Sequence, residues 1–244
     1  MNTSEANAGS HQPLYIQIKT VLKKQILSGE YAPYERIPSE SVLMKTFGVS
    51  RITVRQALKD LNSEGLVFTS QGKGTFANKP KATQDMQQLQ GFDEAMRPKG
   101  YKTSARVVSI RERVADNNVQ EKLQLGDKEK VIEVLRVRYL NKEPVSLDRS
   151  FFPVNIGEKL FGHDLTGDIF PMLEELLNLR LGEAEVSLEA RPADDEVLQQ
   201  LELEKGSPVM WVERLTRDQN KRPIDYEYLA IRGDSYKYCF KIER

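Results

Sequence analysis

The 244-residue chain has one cysteine, Cys239, so no disulfide can form within it. Its two histidines, His11 and His163, stand apart from each other with no cysteine at ligand spacing, which argues against a metal site. There is no P-loop, no dinucleotide fingerprint and no nucleophile elbow. No apolar run approaches the ~20 residues of a membrane span. The N-terminal stretch has no charged-then-apolar signal pattern. Together these absences predict a cytoplasmic protein that needs no cofactor.

The net charge is zero, with 36 basic and 36 acidic side chains, but its distribution is uneven. Between Pro13 and Pro80 ten basic residues face five acidic ones, leaving +5. Glu5 gives −1 to the segment before it, so the remainder carries −4. A basic module joined to an acidic body fits a polyanionic partner while limiting indiscriminate sticking.

The basic module centres on residues 38–76. Pro38-Ser39-Glu40 reads as a helix start with Ser39 as cap, and Val42, Leu43 and Phe47 follow at helical spacing. Gly48 stops that helix and Ser50 caps the next, whose buried stripe is Val54, Ala57, Leu58 and Leu61. The opposite face carries Arg51, Thr53, Arg55 and Gln56 directly after a short turn, the layout of a recognition helix. Two short strands, Leu66-Val67-Phe68 and Gly74-Thr75-Phe76, then flank a basic tip, Gln71-Gly72-Lys73-Gly74, able to approach a phosphate backbone. Upstream, Leu14, Ile18, Val21, Leu22, Ile26 and Leu27 predict a helix over 14–28, and Tyr31–Tyr34 reads as a loop leading to Arg36.

Residues 1–12 read as a disordered arm, 13–77 as this module, 78–90 as a polar linker entering helix from Gln84, and 91–244 as a second domain with its own core. In that domain strands are expected at 102–113, 130–140, 143–152, 183–191, 209–217, 223–231 and 236–242, the last three completing a sheet. Helices are expected at 114–124, at 168–179 with Asp168 as cap, and at 194–203. The fold class is α+β on a mostly antiparallel sheet. Residues 123–144 and 201–224 both run helix end, strand, turn, strand, which suggests an internal duplication. Arg136 and Arg138 lie two apart and share a strand face, where they repel unless an anion or an acid sits between them. Asp148 across the hairpin, or plain exposure, is the alternative.

The residues of 13–76 resemble the winged helix-turn-helix of the GntR superfamily of bacterial transcription regulators. The resemblance rests on Pro13-Leu14-Tyr15, Gly29, Arg36, Pro38-Ser39-Glu40, Leu43, Phe47 to Arg51, Thr53-Val54-Arg55, Ala57-Leu58, Leu61, Glu64-Gly65-Leu66 and Gly72 to Phe76. The remainder, through its LxLxxGxxV, RxR and following EPV, is similar to the UTRA effector domain of the HutC subfamily, whose fold resembles chorismate lyase. The resemblance implies a repressor that binds a pseudo-palindromic double-stranded operator as a homodimer. DNA contacts are then expected from Arg36, Ser39, Lys45, Ser50, Arg51, Thr53, Arg55, Gln71, Gly72, Lys73 and Gly74. A small-molecule effector would meet Phe92, Asp93, Arg136, Arg138, Asp148, Asp168, Phe170 and Glu227 or Tyr228. The family's sugar-phosphate sensors tend to place hydroxyls where Asp93 and Asp168 stand. That departure favours a small carboxylate, with or without an amine, over a phosphosugar. An enzyme on the same fold and an architectural DNA-binding protein without effector are the rival readings.

Overall fold

The computed structural model describes residues 12–78 and 81–243. Residues 1–11 of the expected arm, and Lys79 and Pro80 of the linker, lie outside them. The chain divides into two compact units, one ending at residue 80 and one starting at Lys81.

In the first unit α1 (Leu14–Leu27), α2 (Glu40–Phe47) and α3 (Arg51–Ser63) precede a hairpin of β1 (Val67–Ser70) and β2 (Gly74–Ala77). Ile18, Leu22 and Ile26 of α1 meet Val54, Ala57, Leu58 and Leu61 of α3 in its core. Val42, expected in the apolar stripe of α2, is instead half exposed, and Leu43 alone of that helix is buried. The wing has a third member in a stretch whose composition reads as loop. Tyr34 N–H donates to Ala77 O, Ala77 N–H to Glu35 O and Ile37 N–H to Thr75 O, so residues 34–37 run along β2. Gly74 has a φ of +118°, and a Cβ there would lie 2.7 Å from Arg36 Nε, so the wing tip needs a residue without a side chain.

The second unit contains β3 (Ala82–Asp85), α4 (Phe92–Met96), β4 (Thr103–Val114), α5 (Asn117–Leu123), β5 (Lys130–Leu140), β6 (Glu143–Pro153), α6 (Val154–Gly157), α7 (Ile169–Leu177), β7 (Leu181–Pro192), α8 (Asp195–Gln200), β8 (Pro208–Asp218), β9 (Pro223–Arg232) and β10 (Tyr236–Cys239). Two expectations need correction. The stretch expected as linker and incipient helix supplies β3, because it finds a parallel partner in β10, more than 150 positions away. For the same reason β10 does not complete the large sheet but forms a separate two-stranded one with β3.

The large sheet is antiparallel, in the order β4-β5-β6-β9-β8-β7. Each half is strand, helix, hairpin: β4-α5-β5-β6 and β7-α8-β8-β9. The order reads the same from either edge, with β6 and β9 meeting at the centre. The hairpins match in detail. Arg138 pairs with Ser146 and Arg136 with Asp148, just as Thr216 pairs with Asp225 and Arg214 with Glu227, and both registers shift at the same step, beside Pro144 and Pro223. α4 and α7 cover one face through Met96, Leu229 and Val212 and through Leu173, Val134 and Phe152; α5 and α8 cover the other through Val119, Tyr226, Leu201 and Val137. Among the described residues no helix is long and apolar enough to cross a membrane.

Candidate functional site

In the first unit, Ser39 and Ser50 are spent on helix starts. Ser39 Oγ accepts from Val42 N–H at 3.4 Å and Ser50 Oγ from Thr53 N–H at 3.3 Å. Thr53 Oγ1 lies 2.9 Å from Ser50 Oγ, so this hydroxyl also has a local partner. Arg51 and Arg55, one helical turn apart, remain 64% and 71% exposed. Both Nε atoms sit 3.8 Å from Glu40, whose carboxylate holds the two guanidinium groups on one side of α3. Arg36, Lys45, Gln71, Gly72 and Lys73 are exposed as well, and Gly74 is half-buried. Sequence reasoning missed Ile52, which is 82% exposed on the first turn of α3. An apolar side chain so placed can meet a thymine methyl group.

In the second unit the covered face of the large sheet that carries Arg136 and Arg138 is polar at its centre. Alternation along β5, β6, β8 and β9 brings Arg136, Arg138, Ser146, Asp148, Ser150, Arg214, Thr216, Asp225 and Glu227 onto it, all buried. Arg138 forms ion pairs with Asp148 and, at 3.3 Å, with Asp168. Ser146 donates to Asp148 at 2.7 Å. Arg214 pairs with Glu227, which also accepts from Ser150 at 3.2 Å. Arg136 donates instead to the carbonyls of Leu165 and Gly167, at 3.1 and 2.9 Å, and so ties down the loop that leads to Asp168. Phe92 covers the Arg138 guanidinium and Phe170 that of Arg214, with ring centroids 5.2 and 5.0 Å away.

Asp168 precedes α7 as expected, but its side chain does not cap that helix. Its two oxygens accept from the N–H groups of Asp93 and Glu94 at 3.1 and 3.0 Å, in the first turn of α4. A Cβ on Gly91 would overlap this carboxylate, so glycine is what lets Asp168 approach. Asp93 lines the cleft in front of Arg138, where it accepts from Thr103 and pairs with Arg97 at 2.5 Å. Tyr228 is a correction: the period of two sends it to the face opposite Glu227, where it accepts from Asn118 at 2.6 Å and packs on Trp211 and Phe151. That face holds another cluster that sequence reasoning missed. There Glu133, with no exposure, binds Arg111, Arg113 and Arg149 at 2.8, 2.8 and 2.9 Å.

Burial dominates the electrostatics. It lowers Arg136 to about 10, aided by the neighbouring Arg138 charge. For Arg138 burial acts the same way, but the Asp148 and Asp168 charges outweigh it and the pKa rises. Asp225 is pushed well above the ordinary carboxylate range by burial and by the charge of Glu227. Three buried atoms on this face have no hydrogen-bond partner among the described residues: Arg136 Nε, Asp225 Oδ1 and Thr216 Oγ1. A cleft of about 320 Å3, lined by Phe92, Asp93, Thr103, Ser104, Asp164 and Asp168, leads in to Arg138. The space behind, between Arg136, Asp168, Asp225 and Glu227, is only about 10 Å3, room for one water.

Arg214, Thr216 and Asp225 were not legible strand by strand. The internal duplication was the signal that could have found them, because it aligns Arg214 and Glu227 with Arg136 and Asp148.

Two family models match the chain: bacterial regulatory proteins of the gntR family over residues 14–77, and the UTRA domain over 99–237. The HTH-type transcriptional repressor NagR of Bacillus subtilis is 32% identical over 238 residues, 98% of each chain. The mannosyl-D-glycerate transport/metabolism system repressor MngR of Escherichia coli is 29% identical over 96% of this chain and 98% of its own. Among solved structures, PhnF from Mycobacterium smegmatis aligns with a TM-score of 0.75 at 21% identity, over 93% of this chain and 99% of that one.

Proposed function

The chain belongs to the GntR family of bacterial regulatory proteins and carries a UTRA domain, and from that premise we propose that it is a homodimeric repressor whose operator affinity is set by a small carboxylate bound on the polar sheet face. The relatives NagR and MngR are repressors by name, which supports the direction of regulation. Arg51, Arg55 and Lys73 supply the base and phosphate contacts, with Ser39, Ser50 and Thr53 fixing the helix starts that aim them. The two recognition helices of a dimer enter successive major grooves, and the effector shifts the population between head spacings that fit the operator and those that do not.

One observation carries the effector assignment. Arg138 and two backbone N–H groups already grip a carboxylate, and it is the chain's own Asp168. A ligand carboxylate entering by the cleft takes over that grip and releases Asp168, and with it the loop to α7. A phosphate dianion fits less well, because Asp148 and the displaced Asp168 stay close by and repel the second charge. Isothermal titration against hexose phosphates and small organic acids tests this. Submillimolar binding of an acid, with a matching change in operator affinity by fluorescence anisotropy, is expected. Micromolar binding of a hexose phosphate overturns the carboxylate assignment.

A further inference from the structure

The two hairpins present equivalent positions with opposite charge imbalance. In the first, Arg136 and Arg138 face one carboxylate, Asp148. In the second, Asp225 and Glu227 face one guanidinium, Arg214. The sheet face is therefore one cation in excess on one side of its internal axis and one anion in excess on the other. The first excess is met by Asp168. The second has no hydrogen-bonded answer among the described residues, although the charges of Arg214, Arg136 and Arg138 act on it: Asp225 is 1% exposed with Oδ1 unpartnered, opposite Thr216, whose Oγ1 is also unpartnered at 0% exposure.

We propose that the effector is a zwitterion: its carboxylate replaces Asp168 at Arg138, and a primary ammonium group at its other end occupies the small space beside Asp225. This rests on the preceding reading for the anionic end and adds the cationic one. An ammonium group is the size of the water that the 10 Å3 space admits. It brings three donors to a space lined by Asp225, whose Oδ1 is an orphan acceptor, and by the carboxylate of Glu227. It also restores neutrality on that side, where an uncharged hydroxyl leaves the excess carboxylate in place. With no ligand the upward shift of Asp225 lets a proton serve instead. Binding the ammonium then releases that proton: Asp225–COOH and R–NH3+ become the ion pair and H+. Asp168 is the gate, since it lines both the outer cleft and the inner space.

The test uses the full-length protein and a homologous series, the ω-amino acids from glycine to 6-aminohexanoate, each against the fatty acid and the alkylamine of equal length. Titration calorimetry is expected to show one optimal length at which the amino acid binds at least tenfold tighter than its matched acid. In two buffers of different ionisation enthalpy, the same wild-type titration is expected to report proton release for the amino acid and none for the acid. Asp225→Asn is expected to bring the ratio between the two ligands to within threefold. If acids bind and the amine adds nothing, or if no member of the series binds, the zwitterion assignment is overturned. If alkylamines bind with proton release while acids do not, the ammonium site stands and the Arg138 carboxylate reading fails.

Discussion

Arg51→Ala separates recognition from folding more cleanly than any other change in the first unit. The side chain is 64% exposed, and its nearest charged partner, Glu40, is 3.8 Å away and 42% exposed itself. A pair of that kind contributes little to stability, and alanine is a better helix former than arginine. The unfolding free energy is therefore expected to stay within the range of an ordinary surface change, about ±0.5 kcal/mol, with little movement of the melting temperature. Operator binding is expected to respond strongly. Removing an arginine that touches a base or phosphate costs roughly 1–3 kcal/mol. In the proposed dimer that cost falls on both half-sites, so roughly 2–6 kcal/mol, or at least about thirtyfold in Kd, is expected. The assay is fluorescence anisotropy on a duplex enriched from random sequence by the wild-type protein, over a range of salt. If Arg51 reads a base, the salt slope stays constant while preference at one position of each half-site relaxes. If it holds a phosphate, affinity falls for all sequences and the slope drops by about 0.9 for each phosphate no longer neutralised. A Kd within twofold of wild type, with melting unchanged, refutes the assignment of this residue.

Gly74→Ala forces a side chain into φ +118° against Arg36 and is expected to cost about 1–3 kcal/mol, seen as early melting of the wing by hydrogen exchange and as weaker operator binding. Glu133→Gln removes the one carboxylate shared by Arg111, Arg113 and Arg149; these arginines are partly exposed, so solvent screening limits the loss to about 1–3 kcal/mol by urea unfolding. Burial alone would raise Glu133, but the bonds from Arg113 and Arg111 and the Arg149 charge overcome it and hold the pKa below 4.5. The stabilisation is thus complete above 4.5 and is lost as pH falls through the lower folded value, so the wild-type advantage over Glu133→Gln should shrink on acidification below 4.5.

Much of this fold was legible because its elements repeat with their own period. The stripe of α1 and the caps Ser39 and Ser50 follow from local spacing, and the strands β5 and β6 from β-rich composition around a turn at Asn141-Lys142, both of which take positive φ. What escaped depends on partners far along the chain. β3, with the sequence ATQD, has no strand-like composition and exists because β10 lies beside it. α4 is five residues long, too short for a periodic signal, and its start is steadied by Asp168 from another element. Arg136 and Arg138 share a face by alternation, and the same rule separates Glu227 from Tyr228. Which other strands complete that face depends on the order of the sheet, and so Arg214 and Asp225 could not be found one strand at a time.

The internal repeat gives a reason to regard the polar row as a binding surface and not as a folding device. A buried ion pair is seldom more stabilising than apolar side chains of the same volume, since desolvation cancels most of the attraction. The same sheet face offers the alternative directly: Val134, Val212 and Leu229 fill neighbouring positions with no such cost. If stability alone mattered, a duplicated hairpin would be expected to drift toward that apolar solution in both copies. Both instead keep an arginine opposite an acid, and they differ where the pairs are incomplete, Arg138 with Ser146 in one and Thr216 with Asp225 in the other. That difference is a polarity across the axis of the repeat. Polarity of this kind orients a ligand with unlike ends, and a symmetric diacid or diamine would find one end matched and the other opposed.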